Sequence, residues 1–354
     1  MDGKLKDSAT EALEFIRALR SGTADEAIDL LTNNVGEDVE GHLAQALAPA
    51  GVAVDGDPPY ETPYLDLLRN IMQNGDERMD RTGVGTKSIF GAMMRFDLRD
   101  NKAPILTTKK VAWATAIREM LWFLSGNANI RELVSQGVHI WTDWPLKAYR
   151  EATGDKIDRD EFERRIINDQ DFAAEWGGGG RGYGAQWRGW AGPNGLRIDQ
   201  VANVIDMLRH SPTSRRILFH AWNPAEIDLM LLPPCHLLYQ FHVSQGRYLN
   251  CCLYQRSCDV FLGLGFNLVG ATALVHMLAK QTGFAPGELV WMGGDVHLYL
   301  NHFDQAREQL SREPRSPPRL FVRDGVPSID DYKIEDFIVS DYDPHPAIRA
   351  PVAV

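Results

Sequence analysis

Leu231-Leu232-Pro233-Pro234-Cys235-His236 places a cysteine behind two prolines. Both prolines fix their own φ and remove a backbone donor, and Pro234 biases Pro233 toward an extended form, so the approach to Cys235 is stiff. A thiol presented in this way at the mouth of a strand is a candidate nucleophile, although free cysteine is commonly a small buried apolar residue. To react as a thiolate near neutral pH it needs a positive neighbour, and arginine is the permanent one. Arg256, at the end of the hairpin that follows, is the natural supplier. Arg81, Arg215 and Arg216 add cationic donors suited to a doubly charged phosphate. Asn267 reads either as a helix N-cap or as an amide that meets a planar ligand with donor and acceptor together. Trp141 and Trp144, three apart, form either core packing or a stacking surface. A nucleophile, a phosphate clamp, an amide and a tryptophan pair together suggest chemistry on a nucleotide monophosphate.

Several elements must carry these residues. Tyr64, Leu65, Leu67, Leu68, Ile71 and Met72 predict a helix ending near Gly75. The loop Asp80–Thr86, with Gly83 and Gly85, could free amides to meet an anion, and leads to a strand over 87–90. Residues 112–126 predict a helix with Glu119 inside an apolar neighbourhood, where spacing favours a salt bridge at the helix edge over a desolvated carboxyl. Pro145 to Ala174 is charge-rich and helical, and Gly177–Gly180, lacking the Lys-Ser/Thr of a P-loop, reads as a flexible connection. Arg215 and Arg216 enter a strand on opposite faces, so one subunit would rarely aim both at one phosphate, whereas a symmetry-related chain could present them to its neighbour. Gln240–Val243, a turn at Gln245-Gly246 and Tyr248–Tyr254 read as a hairpin. A buried helix follows over 266–281, and Asp295, His297 and Tyr299 alternate on one strand face. His297 and His302 are five apart, a spacing that fits neither helix nor strand for a shared metal, so no metal site is expected.

Bulk properties narrow the class. The 354 residues are 44% hydrophobic and 24% charged, ordinary values for a globular protein. No apolar run approaches a membrane span and the N-terminus shows no signal-peptide core, so a cytoplasmic protein is expected. The four cysteines lie within residues 235–258 without a Cys-x-x-Cys pair and read as free thiols. A net charge of −11 argues against DNA or general nucleic-acid binding. Residues 1–57 hold 12 Asp/Glu against 4 Lys/Arg, hence −8 of that charge. Capping boxes at Ser8-x-x-Glu11 and Thr23-x-x-Glu26 predict short helices there, so this part reads as an acidic helical extension joined by a linker to a catalytic domain over 58–354.

Pro233-Pro234-Cys235-His236, Gln255-Arg256-Ser257-Cys258-Asp259-Val260-Phe261-Leu262-Gly263, Gly294-Asp295-Val296-His297-Leu298-Tyr299 and the terminal Ala350-Pro351-Val352-Ala353-Val354 resemble the thymidylate synthase family from about Tyr60 onward. The resemblance implies an α/β (α+β) fold with a mixed sheet flanked by helices. It implies a homodimer that methylates dUMP with 5,10-methylenetetrahydrofolate as carbon donor and reductant. It gives Cys235 the attack on C6 and Glu119, His236 and Tyr183 a proton-moving water network, which overturns the salt-bridge expectation for Glu119. Arg81, Arg256 and Ser257 would hold the phosphate, joined by Arg215 and Arg216 of the partner subunit. Asn267 would read the uracil edge, and His297 and Tyr299 the ribose hydroxyl. Asp259 would bind the pterin. Ile140, Trp141, Trp144, Leu232, Gly263, Phe266, Val352 and Ala353 would form the folate surface.

The sequence departs from the family pattern at Gly265 (proline), Gly270 and Ala271 (serine and tyrosine), Thr142 (aspartate) and Arg181-Gly182 (a proline-hydrophobic pair), changes that would enlarge the pocket near the base. Related enzymes hydroxymethylate the same nucleotides, water replacing hydride in capturing the methylene intermediate. Trp141 and Trp144 favour hydride transfer by shielding that intermediate, and Asn267 favours uracil over cytosine. A nucleotide-binding protein without catalysis is the remaining alternative, opposed by Cys235, Arg256 and Glu119.

Overall fold

The computed structural model describes residues 59–352, so the readings made for residues 1–57 lie outside the described residues. Helix α1 (Thr62–Asn74) buries Tyr64, Leu65, Leu67, Leu68 and Ile71 and ends at Gly75, as the spacing requires. Strands β1 (Asp76–Arg78) and β2 (Thr86–Asp97) follow. The second is longer than the expected 87–90, because its ladder misses only Gly91 and resumes at Ala92. Helix α2 (Trp113–Leu124) carries Glu119. Helix α3 (Arg131–Ser135) follows, and the charge-rich stretch folds as α4 (Asp143–Thr153), α5 (Arg159–Asn168) and α6 (Gln170–Trp176). Asp158 and Asp169 open the last two by accepting the backbone N–H of Glu161 and Phe172.

Next come α7 (Tyr183–Gly189), a two-residue ladder of β3 (Trp190–Ala191) with β4 (Arg197–Ile198), α8 (Gln200–His210) and β5 (Leu218–His220). Strands β6 (His236–Ser244) and β7 (Tyr248–Asp259) form the hairpin. Gln245 and Gly246 both take positive φ, 53° and 63°, which matches the twist of a tight hairpin. Helix α9 (Leu264–Thr282) returns the chain to β8 (Ala285–Tyr299). Helix α10 (Phe303–Leu310) and the pair β9 (Arg319–Val322) and β10 (Phe337–Ser340) complete the chain.

The main sheet has the order β1-β2-β8-β7-β6-β5, antiparallel except for β7 beside β8. A parallel neighbour needs a crossover, and α9 supplies it. Fourteen of its 19 residues are buried, which accounts for its Leu, Val, Met and Ala content. It packs against α2 on one side and β7 and β8 on the other. A second, smaller core joins Ile130, Val134, Leu146, Tyr149, Phe162 and Ile166 of the helical segment. Trp141 packs against both cores.

Two local expectations are corrected. Gly177–Gly180 is no flexible connection: Gly179 N–H donates to Ala128 O, Leu231 N–H donates to Gly179 O, and Gly178 bridges Asn129. A side chain at Gly180 would meet the backbone of Leu229 and Met230, so glycine is there for close approach. Arg215 and Arg216 lie in a turn before β5, both exposed, so the argument from opposite strand faces does not apply to them.

Candidate active site

The hairpin places Cys235 one residue before β6, and Arg256 N–H donates to Cys235 O at 2.8 Å, extending the ladder to the thiol. The Arg256 side chain then turns back on the proline lead-in. Nε donates to Pro234 O at 2.8 Å and Nη2 to Pro233 O at 2.9 Å, while Nη2 faces Cys235 Sγ at 3.9 Å. The Trp222 ring lies 5.3 Å beneath the guanidinium. The two prolyl carbonyls thus orient the cation toward the sulfur. Burial nevertheless pushes the Cys235 thiol above its ordinary range, outweighing the opposing pull of Arg256, the Tyr183 hydroxyl and Arg81. Arg256 and Arg81 thus offset part of the cost that burial imposes on a thiolate at this position.

Tyr183 opens α7 with φ +33°, a strained backbone for a residue with a side chain. Its hydroxyl accepts the Cys235 N–H at 2.8 Å, and its ring stacks on Phe123 with centroids 4.5 Å apart. The next residue has to be glycine, because a Cβ on Gly184 would strike the Phe123 carbonyl. His236 lies 4.5 Å from the Tyr183 ring and shares a 3.1 Å hydrogen bond with the Tyr239 hydroxyl. Burial pushes its imidazole down to about 3, so it is neutral.

Glu119 forms no ion pair among the described residues. Trp141 Nε1–H donates to its Oε1 at 2.6 Å. Burial pushes its carboxyl up to about 7, and the indole hydrogen bond draws it only part of the way back. A carboxyl that exchanges its proton near neutrality, in an aromatic wall of Phe123, Trp141 and Tyr183, is suited to general acid and base work.

The anion-binding candidates are held differently. In the Asp80–Thr86 loop the amides of Thr82 and Gly85 are taken by the Asp80 carboxylate. Although desolvation opposes it, these bonds and the Thr82 hydroxyl hold that carboxyl below its ordinary range. The loop glycines therefore shape a turn, and the exposed Arg81 side chain is what they offer to an anion. Ser257 pairs with Asp295, and Asp259 with His297, across β7 and β8. His297 Nδ1 lies 3.0 Å from Asp295 Oδ1 and its ring 5.5 Å from Tyr299.

Asn267 lies in the first turn of α9 and is not its N-cap, a position taken by Gly263. Its Oδ1 accepts Gln255 Nε2–H at 2.9 Å, and Gln255 Oε1 in turn accepts Trp291 Nε1–H at 2.9 Å. Gln255 is thus a site residue that pattern reading passed over. Its inward place on β7, next to Arg256, was the available signal.

On the remaining side, Trp141 and Trp144 lie 5.5 Å apart, and Trp141, Leu232, Tyr183 and Gly180 line one concavity. A flat heteroaromatic ring fits such a surface. Asp259 Oδ1 accepts the N–H groups of Phe261 and Leu262, leaving Oδ2 without a hydrogen bond among the described residues. Phe266 is half-buried, while Ile140 and Val352 are exposed; Ala353 lies outside the described residues. Two of the altered positions are accommodated without conflict. Arg181 pairs with Glu226 at 2.9 Å, and Gly270 has room for a methyl group, its nearest neighbour being Met120 at 3.4 Å.

The family model described as thymidylate synthase matches residues 62–354. The chain is 60% identical over 294 residues to a thymidylate synthase of Cereibacter sphaeroides, which covers 83% of this chain and 99% of that relative. It is 59% identical to one of Zymomonas mobilis with the same coverage. It is 54% identical over 303 residues to one of Sinorhizobium fredii, covering 84% of this chain and 99% of that relative.

Proposed function

The chain belongs to the thymidylate synthase family, and from that membership we propose that it converts dUMP to dTMP by reductive methylation. Methylenetetrahydrofolate is read as a cosubstrate that supplies the carbon and the hydride and leaves as dihydrofolate. Cys235 loses its proton and adds to C6 of the uracil, which makes C5 nucleophilic toward the one-carbon unit. Glu119, with His236 and Tyr183 beside it, handles protons at the base through ordered water. Loss of the C5 proton and of the folate amine leaves an exocyclic methylene, which accepts hydride. Cys235 then departs and the double bond is restored. Arg81, Arg256 and Ser257 hold the phosphate; Asn267, oriented by Gln255, meets the uracil edge; His297 and Tyr299 meet the ribose. Asp259 and the Trp141–Trp144 surface receive the pterin, with Ile140, Leu232, Gly263, Phe266, Val352 and Ala353 around it.

The observation that carries this reading is the Arg256 guanidinium, bonded to both prolyl carbonyls and facing the sulfur at 3.9 Å. Incubation with dUMP and methylenetetrahydrofolate should give dTMP and dihydrofolate. Hydroxymethyl-dUMP with tetrahydrofolate in their place would overturn the reductive step.

The working unit is proposed to be a homodimer built on the sheet face away from α9. Met93, Met292, Tyr254, Leu238 and His220 are successive cross-strand partners, and the first three keep 53%, 40% and 37% of their surface exposed. Such a row needs a cover. Arg215 and Arg216 stand exposed beside it, in the turn before β5, where they can enter a partner's phosphate site. Mixing Cys235→Ser with Arg215→Ala/Arg216→Ala chains should regenerate activity, because one of the two sites in a mixed dimer is intact. The absence of regain in confirmed mixed dimers would refute the exchange. No described helix is long and apolar enough to cross a membrane, and no described cluster of three or more His, Cys, Asp or Glu is placed to hold a metal. A cytoplasmic site of action and a metal-free reaction complete the proposal.

A further inference from the structure

Residues 139–144 carry Ile140, Trp141 and Trp144, and one carboxylate holds that segment from behind. Glu163, the fifth residue of α5, is 8% exposed. Its Oε1 accepts the Thr142 hydroxyl at 2.5 Å and lies 3.4 Å from Arg159 Nε, and its Oε2 meets His139 Nδ1 at 2.8 Å. Arg159 also reaches the His139 carbonyl and approaches Asp143 at 3.7 Å. Among the described residues, the polar anchors of the tryptophan segment on α5 thus run through Glu163 or its i−4 neighbour.

Thr142 gives the decisive detail. It occupies the N-cap of α4, where a threonine hydroxyl ordinarily accepts an N–H of the first turn. Here that cap bond is absent, and the fully buried hydroxyl donates to Glu163 instead. An aspartate at this position, the residue of the family pattern, would set two carboxylates within hydrogen-bond distance, an arrangement that resists ionising both. Thr142 and Glu163 are therefore a matched pair in this chain.

We propose that Glu163 is a positioning residue for the reaction, fixing the tryptophan segment through Thr142 and His139 so that the Trp141 indole stays on the Glu119 carboxylate. The inference rests on the reaction proposed above. Trp141 joins both ends of the chain of contacts. Its Nε1–H lies 2.6 Å from Glu119 Oε1, and its rings face Trp122, Tyr183 and Trp144 at 5.6, 5.7 and 5.5 Å. Loosening the segment moves the indole donor and opens the concavity beside it, without touching Arg256, Asn267 or the β7–β8 ladder.

The test is a cycle of four variants: Glu163→Ala, Glu163→Gln, Thr142→Asp and Thr142→Asp/Glu163→Gln. Glu163→Ala should raise KM for methylenetetrahydrofolate about tenfold, a cost in keeping with a slightly misplaced binding surface, and leave KM for dUMP nearly unchanged. It should also divert part of the product to hydroxymethyl-dUMP. Glu163→Gln keeps an acceptor for the Thr142 hydroxyl and should show a smaller defect of the same kind. Thr142→Asp should reproduce the alanine defect, and Thr142→Asp/Glu163→Gln should relieve it, since the glutamine amide can donate to the introduced carboxylate. In the ligand-free protein the indole 15N–1H signal of Trp141 should move in Glu163→Ala and in Thr142→Asp and return in the double variant. Folded variants with unchanged folate KM, product and indole signal would overturn the proposal. So would a parallel decline in kcat and both KM values tracking Tm, or a folded double variant that shows no relief. Absence of dTMP from the wild-type protein would instead refute the reaction while leaving the indole shifts readable.

Discussion

Cys235, Arg256, Ser257 and Asn267 stand on β6, β7 and α9 or at their ends, where a strand ladder or a largely buried helix fixes each backbone position. Trp141 and Trp144 stand on a short segment whose place is set by side chains, across a satellite core of seven buried residues. In the first region a one-residue slip would turn every side chain to the wrong face, so register is enforced by the whole sheet. In the second, a few side-chain contacts take the place of a ladder: Glu163 with Thr142 and His139, and Arg159 with the His139 carbonyl. Substitutions in the sheet region are therefore expected to alter chemistry at fixed geometry, whereas those in the helical region alter geometry and thereby which chemistry follows.

The sharpest break of this contrast is Cys235→Ser. It should lower kcat by about 10⁴-fold or more, while calorimetry still detects dUMP binding, because the phosphate and base contacts do not depend on sulfur. Loss of dUMP binding in a folded variant would show that the sheet region is less rigid than described. Next is Glu119→Gln, at the junction of the two regions, with an expected loss in kcat of about 10²–10³. The native carboxyl keeps its proton up to about pH 7 against an ordinary value of 4.5, so the folded state binds this proton more tightly than the unfolded state. Its contribution to stability is fully present at low pH and is lost as pH rises from about 4.5 to about 7. The glutamine removes that loss. Thermal melts should show the variant more stable by on the order of 3 kcal/mol at about pH 8, with the gain vanishing below about pH 4.5.

Trp141→Phe keeps the ring and deletes the donor. The ionised form of Glu119 loses its hydrogen bond, so the limb of the kcat/KM profile governed by this carboxyl should move to higher pH, with a rate loss of about tenfold at neutral pH. An unmoved limb would separate Trp141 from Glu119. The smallest effect is expected of Gly270→Ala on α9. The space exists, and a helix-interior glycine costs roughly 0.5–1 kcal/mol relative to alanine, so Tm should rise slightly with activity unchanged. A fall in Tm would mean that the neighbouring Met120 cannot give way.

The same contrast governs what the residues alone make legible. The hairpin, α9 and the alternation of Asp295, His297 and Tyr299 follow from period and turn chemistry, both of which are local. Contacts between distant residues leave no period. Gln255 against Asn267 and Glu163 against Thr142 are of that kind, as is the Gly177–Gly180 docking on Ala128 and Leu231, which composition alone renders as a loose loop. The Asp80 loop misled for a related reason: glycines advertise amides, yet an aspartate five residues earlier had already taken them. For Cys235 the residue types pointed correctly to a cation beside a thiol, but the balance between that cation and burial is a property of the enclosed volume, not of the neighbours' names.

The strand order has a consequence for how the protein is made. Strand β2 pairs with β8, roughly 200 residues later in the chain, so on a ribosome adding about 5–20 residues per second it waits roughly 10–40 s for its partner. During that interval β2 can pair with β1 at one edge, while the backbone edge that β8 later takes stays open. The hairpin of β6 and β7 closes locally before α9 and β8 emerge. Synthesis therefore completes the cysteine platform before the strand that joins it to β2, and a chain stopped short of Ala285 leaves an open β2 edge that invites capture by chaperones or by another nascent chain.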